Sequence, residues 1–180
     1  MISFRPVTEY DLPMLAEWLA RPHWRQWWGD PETELGYIKD MLGGSDTTMP
    51  FIFQINGEDK GYIQVWSIGD QQGTEWVKEY PWLELLPGEA VGVDLSLAHP
   101  DEMSRGLGSK TLQVFVRKLR RDGHTRIIID PDPGNHRAVK AYEKAGFKVM
   151  DDLIGCTGDS LIMEHHVSSD PVPAKDGMSS

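Results

Sequence analysis

The feature that most constrains the fold of this chain is a run of alternating strand and helix signals from Val91 to Phe147. Its first residues, Val-Gly-Val-Asp-Leu-Ser-Leu, predict a central strand over residues 90–97. After a turn that contains two glycines, apolar side chains recur at helical spacing over residues 106–121, which predicts an amphipathic helix. A second strand over residues 125–130 and a second helix over residues 135–145 follow. This order predicts an α/β domain.

The turn between that first strand and first helix has the chemistry of an anion site. Gly106 and Gly108 lack Cβ atoms, so backbone N–H groups can approach an anion closely beside the positive end of the helix dipole. Arg105 and Lys110 add full positive charges next to those amides. The turn therefore predicts a phosphate site, while an ordinary tight turn between a strand and a helix remains the alternative.

The rest of the chain adds further strands and helices. Asn56-Gly57 suits the positive φ values of a hairpin turn, and Pro31 with Gly43-Gly44 predicts the two ends of a helix. The fold class is therefore α/β (α+β), with a mixed central sheet of about seven strands flanked by about four helices. The predicted strands are residues 2–7, 51–55, 62–66, 90–97, 125–130, 147–153 and 160–165, and the predicted helices are residues 8–20, 30–42, 106–121 and 135–145.

A cluster of three tryptophans, Trp24, Trp27 and Trp28, interrupts the pattern after the first predicted helix. Three such rings within five residues cannot all face one core from a regular helix. Part of the cluster is therefore expected to line a cavity or cover a ligand, and Trp27 and Trp28 are the candidates. Aromatic packing between two helices is the alternative.

Residues 68–88 combine acidic and aromatic side chains with a single lysine. Carboxylates among aromatic rings suit a ligand with several ammonium groups, because the carboxylates pair with the charges and the rings pack on sugar faces. We expect this segment to form a lid over such a ligand, and an ordinary solvated loop is the alternative. Its acidic residues are Asp70, Glu75, Glu79 and Glu84, and its aromatic residues are Trp76, Tyr80 and Trp82.

Composition limits the partners and the compartment. The 180 residues fit one domain, expected over residues 1–167, and the polar, Pro- and Gly-containing residues 168–180 are expected to be a disordered tail. With 28 acidic and 18 basic residues, the net charge of -10 disfavours nucleic acids and anionic membranes and favours cationic partners. The lone Cys156, the lack of zinc-type spacing and the lack of an apolar leader or span predict a cytoplasmic protein without a metal. Monomer and homodimer both remain open.

The glycine turn, Asn135 and the run Ala141-Tyr-Glu-Lys-Ala-Gly-Phe147 resemble the acetyl-coenzyme A signature of the GCN5-related N-acetyltransferases (GNAT). Met103 stands where this family often has Gln or Arg. The resemblance implies a GNAT fold in which the strands carrying Asp94 and Asp130 splay apart. The backbone of one strand would then bind the pantetheine arm of acetyl-CoA, and the turn its pyrophosphate. The implied cofactor-binding residues are Leu95, Ser96, Leu97, Arg105, Gly106, Leu107, Gly108, Ser109, Lys110 and Asn135.

Two side chains are candidates for the chemistry of acetyl transfer. The reaction needs a neutral amine, stabilisation of the oxyanion and a proton for the departing thiolate. Tyr142 matches the family tyrosine whose hydroxyl faces the sulfur, which implies a general acid. Asp94 lies on the strand expected to bear the acetyl group, where its carboxylate could bind the substrate ammonium and accept its proton directly or through water. A structural role remains open for both.

Within the family, the chain resembles the aminoglycoside 6'-N-acetyltransferases, which implies transfer to the 6'-amino group of these antibiotics. The likeness is carried by residues 17–19, 27–29, 56–58, 92–98 and 130–135. It implies drug-binding roles for Trp27, Trp28, Glu75, Glu79, Asp94, Asp130 and Asp159. A siderophore-type hydroxylysine N-acyltransferase, with a smaller and less acidic pocket, is the first alternative. A non-catalytic coenzyme A-binding module is the second, and it would need neither Tyr142 nor Asp94.

Overall fold

The computed structural model describes residues 1–158 and 160–167. The predicted tail, residues 168–180, and the candidate Asp159 lie outside these residues. The described part forms one seven-stranded sheet with helices on its faces. The strands are β1 (Ile2–Pro6), β2 (Met49–Ile55), β3 (Glu58–Ser67), β4 (Val91–Leu97), β5 (Ile127–Ile129), β6 (Phe147–Val149) and β7 (Met163–His165). The helices are α1 (Leu12–Leu19), α2 (Pro22–Trp28), α3 (Pro31–Gly43), α4 (Ile68–Gln71), α5 (Trp76–Glu79), α6 (Leu107–Arg121) and α7 (His136–Lys144).

The four predicted helices correspond to α1, α3, α6 and α7, and each predicted strand has its counterpart in the sheet. The sequence did not indicate α2, α4 or α5. Trp24, Trp27 and Trp28 lie on α2, so the first helix does end before the tryptophan cluster, and the cluster forms a short helix of its own that was not predicted. Pro22 occupies the first position of α2, which proline favours because the amide there has no helical acceptor.

The sheet is mixed, with strand order β1-β2-β3-β4-β5-β7-β6. β4 and β5 run parallel, and the other neighbouring strands are antiparallel. β3 and β4 pair along the whole of β4, from Ser67 opposite Val91 to Gly61 opposite Leu97. β3 therefore supports β4 along its whole length, on the side opposite β5.

The parallel pair itself is short. β4 and β5 pair at two positions, Val91 with Ile127 and Gly92 with Ile128. β5 ends at Ile129, and the chain continues as Asp-Pro-Asp-Pro, where the prolines have no N–H to donate to a neighbouring strand. Beyond Gly92 the strands separate, and this is the splay that the family resemblance implies.

Two apolar layers hold the helices against the sheet. Alternate side chains of a strand face opposite sides, so Phe51 and Phe53 of β2 face α6 while Ile52 faces α1 and α3. The layer below α6 includes Ile63, Val93, Leu112, Phe115, Val116 and Leu119, and the opposite layer includes Leu15, Trp18, Trp24, Ile38 and Tyr62. Helices α1, α2 and α3 thereby cover the sheet face on which β3 and β4 present polar side chains.

The acidic and aromatic segment, residues 68–88, is not an ordinary solvated loop. It contains α4, α5 and a 3₁₀ turn, Pro81–Leu85. Ile68, Trp82 and Leu83 are buried and pack with Ile128 of β5. The segment is therefore anchored to the sheet through its apolar residues.

Within the described residues, none of the helices combines the length and the apolar character that crossing a membrane requires.

Gly61 of β3 lies where a side chain has no room. A Cβ at this position would collide with the ring of Phe53 and with the Ser96 carbonyl oxygen. We predict that Gly61→Ala lowers the free energy of unfolding by about 1–3 kcal/mol, the usual cost of forcing an extra methyl into a packed interior. Urea unfolding measures this change. Gly36→Ala on α3 is the control, because a Cβ there meets nothing within 4 Å and alanine favours the helix. Equal stability of Gly61→Ala and the native protein would contradict the packing described.

Candidate active site

A cleft of about 1280 Å³ enters the sheet where β4 and β5 separate. Leu95, Ser96 and Leu97 of β4 line one wall. Asp130, which follows β5, and Tyr142 of α7 line the opposite wall. The structure thus brings together the predicted catalytic pair and the candidate backbone of β4.

Three carboxyl groups meet in this cleft. Asp94 and Asp130 were predicted, and Glu34 of α3 joins them. Burial raises the pKa of Asp94, and burial together with the Asp94 charge raises the pKa of Asp130 well above its usual range. Burial and the charges of Asp94 and Asp30 raise the pKa of Glu34 from 4.5 to about 7. These shifts mark a region that favours a cation, because like charges are crowded in a poorly solvated space.

No ion pair within the described residues includes any of these three carboxylates. A buried carboxylate without a cationic partner is costly, and an ammonium group supplied by a ligand would relieve that cost. The inner end of the cleft can therefore select for amines. It can also accept a proton from them, since carboxyl groups with raised pKa values are stronger bases than solvated ones.

Asp94 is held by side chains of β3. Gln64 lies directly opposite Asp94 in the β3–β4 register, and its Nε2 donates to Asp94 Oδ2 at 2.9 Å. The indole N–H of Trp66 also favours the charged form of Asp94 and, with Gln64, lowers its pKa against the effect of burial. Sequence reasoning missed both residues. The period of two along β3 was the available signal, but assigning them to Asp94 required the strand register.

Tyr142 reaches the cleft from α7. Burial and the charges of Asp94 and Asp130 raise its pKa, so the hydroxyl holds its proton at neutral pH. Asn135 begins this helix, since its side-chain oxygen accepts from the Ala138 N–H at 3.3 Å. Asn135 also lines the cleft, so the side chain that caps α7 is also the predicted cofactor residue.

The glycine turn presents backbone amides to the cleft. Ser104 and Gly106 have positive φ values of 67° and 78°, which turn the chain sharply before α6 begins. The N–H of Lys110 donates to the Gly106 carbonyl at 3.0 Å, so the amides of Leu107 to Ser109 precede the first hydrogen bond of the helix. Amides at the start of a helix bind anions, so this turn could hold a phosphate.

The members of the turn do not all face the same way. Gly106, Gly108 and Ser109 line the cleft. Arg105, Leu107 and Lys110 instead line a separate, shallower depression with Glu102. The two cations are thus placed on the outer side of the turn.

The tryptophan cluster divides between core and cleft. Trp24 is fully buried, whereas Trp27 and Trp28 line the cleft. Trp28 packs edge-on against Tyr62 with ring centroids 5.7 Å apart. Trp27 is 38% exposed and can contact a ligand directly. Trp24 therefore packs in the core, and Trp27 and Trp28 line the cavity, so each of the two interpretations holds for part of the cluster.

The acidic and aromatic segment contributes a rim to the cleft. Trp76 of α5 meets Tyr37 of α3 edge-on at 5.4 Å, and Glu79 lines the same opening. Glu75 does not line the cleft. Its carboxylate is largely exposed and pairs with Lys78 at 2.7 Å. Tyr37 follows Glu34 by three residues on α3, so both face the cleft. Sequence reasoning missed this pair, which the helical period could have suggested.

The described residues, 1–158 and 160–167, contain no group of three or more His, Cys, Asp or Glu side chains arranged to hold a metal ion. The polar groups that line the cleft are backbone amides, carboxyl groups and the protonated hydroxyl of Tyr142.

Comparison with known proteins points to one family. A family profile described as Acetyltransferase (GNAT) domain matches residues 7–153. The aminoglycoside N(6')-acetyltransferase type 1 of Klebsiella pneumoniae is 38% identical over 171 residues, which cover 90% of this chain and 81% of that protein.

Solved structures agree with this match. AAC(6')-Ib in complex with paromomycin and acetyl-CoA superposes with a TM-score of 0.76 at 32% identity, over 91% of this chain and 92% of that chain. AAC(6')-Ib in complex with coenzyme A and kanamycin gives 0.73 at 30% identity, over 92% and 94% of the two chains. The splayed sheet is therefore shared with structures that hold both ligands.

The raised pKa of Glu34 generates a prediction about stability. The folded protein holds the Glu34 proton up to about pH 7, whereas the ordinary value is 4.5. Charging Glu34 therefore costs stability as pH rises through this interval and costs nothing below it. Glu34→Gln removes the cost, so we expect its Tm to exceed that of the native protein by about 2–4 °C at pH 8, as about 1 kcal/mol would produce. Calorimetry at pH 4.5 and pH 8 measures both values. A difference that is equal at the two pH values would contradict the assignment.

Proposed function

The chain belongs to the GNAT acetyltransferase family, and from that premise we propose that it transfers the acetyl group of acetyl-CoA to the 6'-amino group of aminoglycoside antibiotics. The observation that carries this proposal is the grouping of Glu34, Asp94 and Asp130 in one cleft with the amides of the glycine turn. An anion site and a cation site in the same cleft fit the two reactants. The activity would confer resistance to these drugs.

The described residues fit acetyl-CoA as a co-substrate. The edge of β4 over Leu95 to Leu97, left open where β5 turns away, can pair with the amide groups of pantetheine. The turn from Gly106 to Ser109 can receive the pyrophosphate on its amides. Arg105 and Lys110 lie on the outer side of that turn, where they would attract the nucleotide phosphates at longer range.

The chemistry is direct transfer within a ternary complex. Asp94 pairs with the 6'-ammonium and accepts its proton, directly or through water, so that a neutral amine attacks the thioester carbonyl. A carbon–nitrogen bond forms and the carbon–sulfur bond breaks. Tyr142 gives its hydroxyl proton to the departing thiolate, and the second proton that the nitrogen loses on forming the amide restores the hydroxyl. Asp130 and Glu34 would hold further ammonium groups of the drug.

The charge and the aromatic lining of the cleft favour an aminoglycoside over the alternatives. Hydroxylysine would need fewer carboxylates than the cleft provides. The rings of Trp27, Trp28 and Trp76 suit stacking on sugar faces, as in other carbohydrate sites. A non-catalytic coenzyme A-binding module would not need Asp94 and Tyr142 on opposite walls. We further propose that the enzyme acts in the cytoplasm as a monomer or homodimer, without nucleic acid or membrane.

A panel of acceptors tests this function directly. The protein is incubated with acetyl-CoA and kanamycin, tobramycin or amikacin, and with analogues that carry a hydroxyl at the 6' position. We expect mass spectrometry to find one added acetyl group on the 6'-amino compounds only, because the alcohol has no ammonium for Asp94 and is the poorer nucleophile. Brisk transfer to hydroxylysine with none to any aminoglycoside would defeat the proposal.

Asp94→Asn is the companion variant for this panel. It keeps the size of the side chain but removes the carboxylate that pairs with the amine. We expect kcat/KM for the drug to fall by about 10²-fold or more, while the affinity for coenzyme A stays unchanged. Calorimetric titration with coenzyme A separates the two effects. A fully active Asp94→Asn would return Asp94 to a structural role.

The glycine turn yields a prediction for the co-substrate. A Cβ at Gly108 would meet nothing within 4 Å, so the space beside this residue is open to the cleft. We predict that Gly108→Val fills space intended for the pyrophosphate and raises KM for acetyl-CoA by about tenfold or more, as loss of one charged hydrogen bond would. The KM for the drug and the Tm should change little. Unaltered KM for acetyl-CoA in the folded variant would contradict the assignment.

A further inference from the structure

The side of the sheet that faces α2 and α3 carries a ladder of polar side chains across β3 and β4. Tyr62, Gln64 and Trp66 alternate along β3 and so project from one face. Their partners on β4 are Ser96, Asp94 and Gly92. The ladder places two N–H donors of β3 beside a single carboxylate of β4.

Two hydrogen bonds, one at each polar atom, hold the side-chain amide of Gln64 in one orientation. The hydroxyl of Tyr62 donates to Gln64 Oε1 at 2.7 Å, and Gln64 Nε2 donates to Asp94 Oδ2 at 2.9 Å. A reversed amide would turn its carbonyl oxygen toward the carboxylate, and two acceptors would then face each other. Asp94 therefore selects this orientation of the amide, and the hydroxyl of Tyr62 supports it by donating to the remaining acceptor, Gln64 Oε1.

Tyr62 acts from outside the cleft. Its side chain is fully buried and packs against Trp24 and Trp28, whereas Gln64 and Asp94 line the cleft. A ligand in the cleft would therefore meet Gln64 but not Tyr62. This separation allows the anchoring effect to be tested without removing a ligand contact.

The position of the Trp66 ring depends on the absence of a side chain at Gly92. A Cβ on Gly92 would collide with the indole ring of Trp66, so only glycine lets this ring lie across β4. In that position the indole N–H favours the charged form of Asp94. Gly92 is thus the position on β4 that admits the second donor.

We propose that Gln64 is a positioning residue for acetyl transfer: anchored by Tyr62 and assisted by Trp66 over Gly92, it holds Asp94 charged and aimed at the incoming amine. This inference rests on the proposed function for the identity of the amine. The arrangement has a clear physical purpose. Burial favours the neutral form of Asp94, which cannot pair with an ammonium group, and the donors from β3 oppose this effect.

Other titrating groups surround Asp94 and set the expected pattern. The charge of Asp94 raises the pKa of Glu34 from α3, Asp130 after β5, Tyr142 from α7 and Tyr62 from β3. These groups therefore keep their protons while Asp94 titrates, so replacing Glu34 with a neutral side chain should leave the ionisation of Asp94 nearly unchanged. Removing the donor Gln64 should hinder it. Glu34→Gln is thus the control for Gln64→Met.

The test is a titration of Asp94 followed by carbon NMR of its carboxyl group in the protein without ligands. We expect Gln64→Met to raise the Asp94 midpoint by about one pH unit, as loss of a hydrogen bond to a charged group would. Tyr62→Phe should raise it by a smaller amount, and should add nothing in the Gln64→Met background because it acts through that residue. Glu34→Gln should leave the midpoint nearly unchanged, because Glu34 still holds its proton where Asp94 titrates.

Kinetics supply a second reading of the same variants. The acidic limb of kcat/KM for kanamycin should move upward in pH with the Asp94 midpoint in Gln64→Met and Tyr62→Phe, while KM for acetyl-CoA stays constant. A purely structural role would lower Tm and leave both the midpoint and the acidic limb in place. That result, in either variant, would overturn the inference.

The two proposals fail separately. If the native protein acetylates no aminoglycoside, the proposed function fails, and the NMR midpoint still decides whether Gln64 controls Asp94. If the native protein is active and the midpoint does not move in Tyr62→Phe or Gln64→Met, only the positioning role fails. Because Tyr62→Phe changes one buried hydroxyl, it keeps the test decisive should Gln64→Met not fold.

Discussion

The early end of pairing between β4 and β5 is the constraint on which the site depends. Parallel strands normally continue side by side, but β5 stops at Ile129 because Pro131 and Pro133 cannot donate to a ladder. β4 remains straight because β3 pairs with it along its whole length. The result is a gap bounded by one firm edge, with backbone groups that a ligand can use. Tyr142 of α7 lines this gap.

The cleft separates two kinds of charge. The amides at the start of α6 make its outer part suitable for an anion, and Glu34, Asp94 and Asp130 make its inner part suitable for a cation. A reactant with phosphates and a reactant with ammonium groups would therefore enter with fixed orientations. This arrangement explains how an acidic protein, of net charge -10, can provide a site for a polyanionic co-substrate. The local dipoles decide binding at the turn, while the overall charge favours the other reactant.

The acidic part of the cleft lowers the stability of the folded protein, and the structure limits this cost. Burial makes charged carboxyl groups costly, and each raised pKa shows that the protein reduces the cost by keeping protons. Burial also raises the pKa of Asp94, but there Gln64 and Trp66 oppose the shift because they donate to the charged form. Supporting one carboxylate while leaving its neighbours unsupported gives the three acids different proton affinities. Under the proposed function, such differences would separate groups that bind an amine from a group that also takes its proton.

The sequence by itself determined the features whose causes lie within a few residues. Asn56 and Gly57 set the hairpin, Asp30 caps α3 by accepting from Thr33 N–H at 2.9 Å, and Asn135 caps α7. The motif residues Asp94 and Tyr142 were also predictable and do line one cleft.

Only the tertiary structure decided which distant residues meet. Gln64 and Asp94 are 30 residues apart and touch because the β3–β4 register places them opposite each other. Glu34 enters the cluster because α3 packs over that face, and Arg105 turns outward although Gly106 beside it lines the cleft. Hydrogen bonds of caps and turns join neighbours along the chain, so their residues suffice to predict them. Strand register and helix packing depend on the whole core, so a local pattern cannot specify them.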